Sequence, residues 1–70
     1  MEYTEEFIVL KDAGFDSEEV YYSGLDEVEA HRSYQRIKEG TKGIFKAYIK
    51  RDLVFNVPFI VSYTILKRVK

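Results

Sequence analysis

Three stretches of this chain carry apolar residues at strand spacing, and one carries them at helix spacing. Tyr3–Asp12 contains Phe7-Ile8-Val9-Leu10, a four-residue apolar run bounded by charge, with Ala13-Gly14 behind it as a turn signal. As a strand it points Phe7 and Val9 one way and Ile8 and Leu10 the other, so both of its faces need cover. Ile44–Arg51 is a second predicted strand, with Phe45, Ala47 and Ile49 on one face and Ile44, Lys46, Tyr48 and Lys50 on the other. Phe59–Arg68 is the third and longest. Phe59, Val61, Tyr63 and Ile65 form an apolar row, and Ile60, Ser62, Thr64 and Leu66 a mixed one. Asp52–Pro58 holds the turn between them, and Pro58, which has no N–H to donate, belongs at a strand start.

Helix spacing appears over Asp26–Glu39. Asp26 is a suitable N-cap with Glu29 at the third helical position, and Leu25 is placed to staple against Ala30. Acids fill the first turn (Glu27, Glu29) and bases the later ones (Arg32, Arg36, Lys38), which suits the helix dipole. Gly40 is the expected stop. Ala30, Tyr34 and Ile37 share the core stripe, while Val28 falls on the opposite side. Phe15–Gly24 supports two readings. Asp16-Ser17-Glu18-Glu19 looks like a helix start, Val20-Tyr21-Tyr22 prefers a strand, and Ser23-Gly24 breaks either. A loop with one turn of helix and a short edge strand both remain open.

The resulting order is strand–helix–strand–strand, an α+β domain over residues 1–70. A right-handed crossover from the first strand to the second leaves room for the third to insert between them. The longest and most apolar strand suits the centre. The expectation is therefore a three-stranded mixed sheet in order 1-3-2, with the helix packed on one face. The other face would be bare, and a two-fold dimer covering it is the simplest remedy. Leu53, Val54, Phe55, Ile60 and Leu66 are the candidate interface residues, the first three because they make the turn region unusually apolar.

Composition strengthens the case for a partner. A 70-residue chain buries only about 60% of the surface its unfolded form exposes, and domains this small usually need a staple. There is no cysteine, which excludes disulfides, zinc fingers, Fe–S clusters and thiol nucleophiles. The acidic first six residues do not read as a secretory signal, and the longest apolar-rich stretch, Val57–Leu66, is far short of the ~18 residues of a membrane span. The expected setting is the cytoplasm, with no membrane contact.

Charge changes the picture more. The net charge is −1, yet residues 1–30 hold ten acids and one base, and residues 31–70 hold ten bases and two acids. Lys46, Tyr48 and Lys50 alternate along one strand face, and Arg51, Lys67 and Arg68 are placed to join them. A basic sheet face with an aromatic stacker is how several folds hold single-stranded nucleic acid. Two ordinary explanations compete: edge lysines protect against aggregation, and in order 1-3-2 Glu5 or Glu6 would face Lys67 or Arg68. Lys46, Lys50 and Arg51 would then be left without an acidic neighbour.

Other chemistry is thin. Glu27 and His31 are four apart on the helix, which is ordinary helix pairing and only half a metal site. Ser33 lies two residues from His31 and so faces elsewhere, which rules out a triad. Gly40-Thr41-Lys42-Gly43 lacks phosphate-loop spacing and follows a helix rather than preceding one. No catalytic residue, cofactor or metal is expected.

In length, strand–helix–strand–strand pattern and expected dimer, carried by Glu6–Lys11, Asp26–Gly40 and Gly43–Lys70, the chain resembles the small Yopt family of Bacillus prophage proteins. The resemblance implies a homodimer whose subunit has one helix and three strands, and it brings no activity and no site residue. The expectation is thus a homodimeric protein-interaction module of phage or prophage type with an unidentified protein partner, acting by binding rather than catalysis. Nucleic-acid binding through Lys46, Tyr48, Lys50, Arg51, Lys67 and Arg68 is the alternative.

Overall fold

The computed structural model describes residues 3–70; Met1 and Glu2, part of the acidic start, lie outside them. The elements in order are β1 (Tyr3–Lys11), β2 (Glu19–Gly24), α1 (Glu27–Arg36), β3 (Lys42–Val54) and β4 (Val57–Arg68). The sheet has four strands in order β2-β1-β3-β4, every neighbouring pair antiparallel.

This corrects the expected three-stranded mixed sheet in order 1-3-2, and with it the three-strand subunit that the family resemblance implied. The segment Phe15–Gly24 supplies the extra strand: β2 pairs with β1 from Phe7 opposite Gly24 to Lys11 opposite Glu19. β1 and β3 are the interior strands, and β4, the strand expected at the centre, lies on the edge. β2 and β3 flank β1 and run parallel to each other, so α1 crosses over β1 to join them. The crossover exists, but it spans β2 to β3 rather than the first strand to the next long one. Glu5 and Glu6 consequently never face Lys67 or Arg68. In the β1–β3 ladder Glu5 is opposite Tyr48 and Glu6 opposite Ala47.

α1 forms where its cap dictates. The Asp26 carboxylate accepts from the N–H groups of Val28 (2.9 Å) and Glu29 (3.2 Å). The reciprocal half of the capping box is missing, because the Tyr22 hydroxyl occupies the Asp26 N–H (3.0 Å) and Glu29 reaches forward to Arg32 (2.7 Å). Leu25 is 77% exposed and makes no staple. The helix stops at Arg36, with Ile37 as an extended C-cap, so Lys38 and Glu39 lie beyond it and Gly40 is a loop residue rather than the helix stop. Gly40 has another task. At φ +79° its Cα lies against Asp12, and a Cβ there would come within 2.5 Å of a carboxylate oxygen. Asp12, itself left-handed at φ 54°, accepts from the Thr41 N–H (2.9 Å) and the Ser17 hydroxyl (3.1 Å), tying the β1–β2 loop to the start of β3.

Two apolar clusters hold the sheet. On the helix side Phe7, Val9 and Ile44 pack against Ala30 and Ile37, with Tyr22 and Tyr34 at the margin. On the far side Ile8, Leu10, Ala47 and Ile49 are buried under Phe45, Ile60 and Tyr63. The far side is therefore not bare, contrary to expectation. A flat four-stranded sheet would hold its edges roughly 14 Å apart. Instead Tyr63 on edge strand β4 donates a 2.5 Å hydrogen bond to Glu18, which directly precedes the other edge strand. The sheet curls away from the helix and covers its own second face.

Candidate interaction surface

β4 is rich in β-branched and aromatic residues, and the β3–β4 hairpin outruns the rest of the fold. α1 packs on β1, β2 and β3 but not on β4. The ladder runs to Val54 opposite Val57, leaving a two-residue turn, Phe55-Asn56, with φ of 52° and 64°. Two left-handed residues match the twist of a hairpin, and Asn, Asp or Gly normally fills them. Asn56 suits its place. Phe55 does not: a bulky side chain on a left-handed backbone costs about 1 kcal/mol. Its ring gains nothing within the chain, being 97% exposed.

Phe55 heads a larger surface. Val57–Leu66 contains no charged residue, and it lies on an open sheet edge. Long apolar edges are normally blunted with charge, proline or bulges. Here Pro58 removes one donor near the tip, and two register shifts interrupt the ladder, at Lys46/Ala47 and Lys50/Arg51. Yet Leu53, Val54, Val57, Phe59, Val61 and Leu66 all remain between 42% and 62% exposed. Of the five interface residues expected from sequence, Leu53, Val54, Phe55 and Leu66 are on this surface. Ile60 is half-buried against the far-side cluster and serves the chain's own core instead.

The six residues of the basic set divide between the two sides of the sheet. Lys46, Tyr48 and Lys50 share the helix side with Lys67, which stands directly opposite Lys46. The Lys46 ammonium lies 4.2 Å from the Phe7 ring centre and that of Lys50 5.8 Å from the Tyr3 ring. Glu5 sits opposite Tyr48, and Asp52 follows Lys50 on the same face. Arg51 points to the far side, where sequence reasoning left it without an acidic neighbour. It binds both Glu6 carboxylate oxygens, at 2.5 and 2.8 Å, and the Ser23 hydroxyl at 3.0 Å. That bond, helped by the Thr4 hydroxyl and opposed by burial, holds the Glu6 carboxyl below its ordinary value, and the same bond raises Arg51. Forty-five residues separate the partners, so only the register of β1 on β3 brings them together. Burial, with the Glu18 hydrogen bond second, pushes the Tyr63 hydroxyl up to about 12.

Arg68 is also on the far side. Its guanidinium lies 5.4 Å from the Phe45 ring and donates to the carbonyls of Lys42 and Lys70, both at 3.1 Å. Beside it is an open cleft of about 230 Å³, lined by Leu10, Ala13, Thr41, Lys42, Gly43 and Phe45 as well as Arg68.

The remaining candidate chemistry resolves into structure. Glu27 and His31 are 3.8 Å apart as an exposed helix pair. Ser33 is buried in the helix face. The Thr41 N–H is occupied by Asp12 rather than open to a phosphate. Among the described residues no three His, Asp or Glu side chains gather around a common point, and no helix is long and apolar enough to cross a membrane. No family model, curated protein or solved structure matches this chain.

Proposed function

We propose that the protein is a protein-interaction module that works as a homodimer, a second copy covering β4 and the tip of the β3–β4 hairpin. One observation carries the reading: a ten-residue charge-free stretch, Val57–Leu66, on an open edge, continued by an exposed Phe55. An exposed sheet edge this long and this free of charge is uncommon on a chain that works alone.

A second copy fits it by charge. A strand that meets its own copy across a two-fold axis runs antiparallel to it. Centred on Val57–Leu66, such a contact lays neutral residues against neutral residues. It sends the basic ends, Lys67, Arg68 and Lys70, to opposite ends of the assembly. Binding through this surface needs no cofactor, and protein recognition rather than turnover is the function it serves.

Light scattering at tens of micromolar protein tests the reading. The expected mass is twice that of the 8.3 kDa chain, falling toward a single chain on dilution. A single-chain mass at those concentrations refutes it.

A further inference from the structure

Resting on that homodimer, we propose a specific anchor: Phe55 of each copy seats in the partner's cleft, against Phe45 and beside Arg68. The cleft and the tip lie at opposite ends of the hairpin. Phe45 is paired with Arg68 at one end, and Val54 with Val57 at the other. An antiparallel two-fold contact brings each tip to the other copy's cleft.

The register agrees. The midpoint of the charge-free stretch falls between Val61 and Ser62, and Phe55 and Arg68 are equally far from it along the chain. At about 3.3 Å per residue both lie roughly 21 Å from the axis. One ladder irregularity falls on each arm, near Val61 and near Leu66, so the two arms shorten alike.

Size and chemistry agree as well. At about 230 Å³ the cleft is smaller than the ~300 Å³ at which small-molecule sites begin, while a cavity of about 150 Å³ already accepts benzene. It suits one aromatic side chain. Phe45 supplies the apolar wall, its ring lying flush on Gly43, where a Cβ would come within 2.7 Å of it. A guanidinium already lying over Phe45 presents its second face to another ring. The left-handed backbone at Phe55 is then the cost of holding the ring at the outermost point of the fold.

The chain has no cysteine, so single cysteines report cleanly on proximity. Phe55→Cys and Arg68→Cys proteins are mixed and oxidised. A disulfide-linked pair of one Phe55→Cys and one Arg68→Cys chain is expected, with little linkage within either protein alone. Phe55→Ala, at an exposed position that does not disturb folding, is expected to weaken the dimer by roughly a thousand-fold, about thirty-fold for each of the two buried aromatic anchors lost. A dimer by light scattering that links Phe55→Cys to itself, or that ignores Phe55→Ala, overturns the anchor and leaves the homodimer standing. A single-chain mass for the unaltered protein overturns both.

Discussion

β1 and β4 carry apolar runs of similar strength and meet opposite fates. Phe7–Leu10 are all buried, whereas no residue of Val57–Leu66 is buried and only Ile60 and Tyr63 reach half-burial. The difference lies in neighbours rather than in hydrophobicity. β1 has strands on both sides, the helix above and the curled end of the sheet below. β4 has one strand beside it and no helix over it. A strand's apolar content says that it wants cover. Its place in the sheet decides whether its own chain supplies any.

The sharpest break of this comparison is a matched pair of truncations. Ile8→Ala, at a fully buried site, is expected to cost about 3 kcal/mol, from lost burial and the cavity left behind. Ile65→Ala, 42% exposed, is expected to cost roughly 0.5 kcal/mol or less at concentrations where single chains dominate. Chemical denaturation at low protein concentration measures both. Equal losses would mean that β4 is covered within the chain.

Next comes the polar contact beneath the same sheet. Glu6→Gln leaves Arg51, whose side chain is 31% exposed, without its charge partner, and is expected to cost about 2 kcal/mol. In the unaltered protein the Glu6 carboxyl titrates lower in the folded than in the unfolded state. Its stabilisation is complete above the ordinary value of 4.5 and is lost as pH falls below that toward the depressed folded value. Unfolding midpoints across this acid range should converge for the two proteins. A constant difference would show that the contact is not ionic.

A smaller effect of opposite sign is expected at the hairpin tip. Asn tolerates the left-handed backbone that Phe55 adopts. Phe55→Asn should raise single-chain stability by about 1 kcal/mol, seen as a thermal midpoint several degrees higher, while reducing self-association. A less stable Phe55→Asn chain would mean that the ring packs within its own copy.

The smallest effect belongs to the basic face. The Lys46 and Lys50 ammonium groups lie across aromatic rings, and Glu5 and Asp52 share their side of the sheet. Replacing both lysines with glutamine should cost under ~1 kcal/mol in stability. A salt titration against short single-stranded DNA is expected to show little binding. Tight binding at low salt that vanishes in the double variant would instead favour nucleic acid as the ligand.

Much of the local structure was legible. Asp26 as N-cap, the Ala30–Ile37 stripe and the three long strands follow from spacing and from side chains that bond their own backbone. The β2 strand was half-legible, because Asp16–Glu19 and Val20–Tyr22 carry conflicting short-range signals. β1 settles the conflict by offering Val20 and Tyr22 a ladder. Of the candidate surface, Leu53, Val54 and Phe55 stand out in sequence because a turn seldom holds three apolar residues. Ile60 could not be sorted from them, since which side of β4 faces the core depends on the irregularity beside it.

The sequence by itself determined the three long strands, the helix with its Asp26 cap, and the split between an acidic first half and a basic second half. Those depend on interactions within a few residues or on composition alone. Tertiary structure decided strand order, and with it everything that depends on neighbours far along the chain: β1 at the centre, Glu6 on Arg51, Tyr63 on Glu18, and β4 uncovered. Strand order is a competition among pairings of similar local merit. It is decided by how much apolar surface all of them bury together, and no single strand carries that sum.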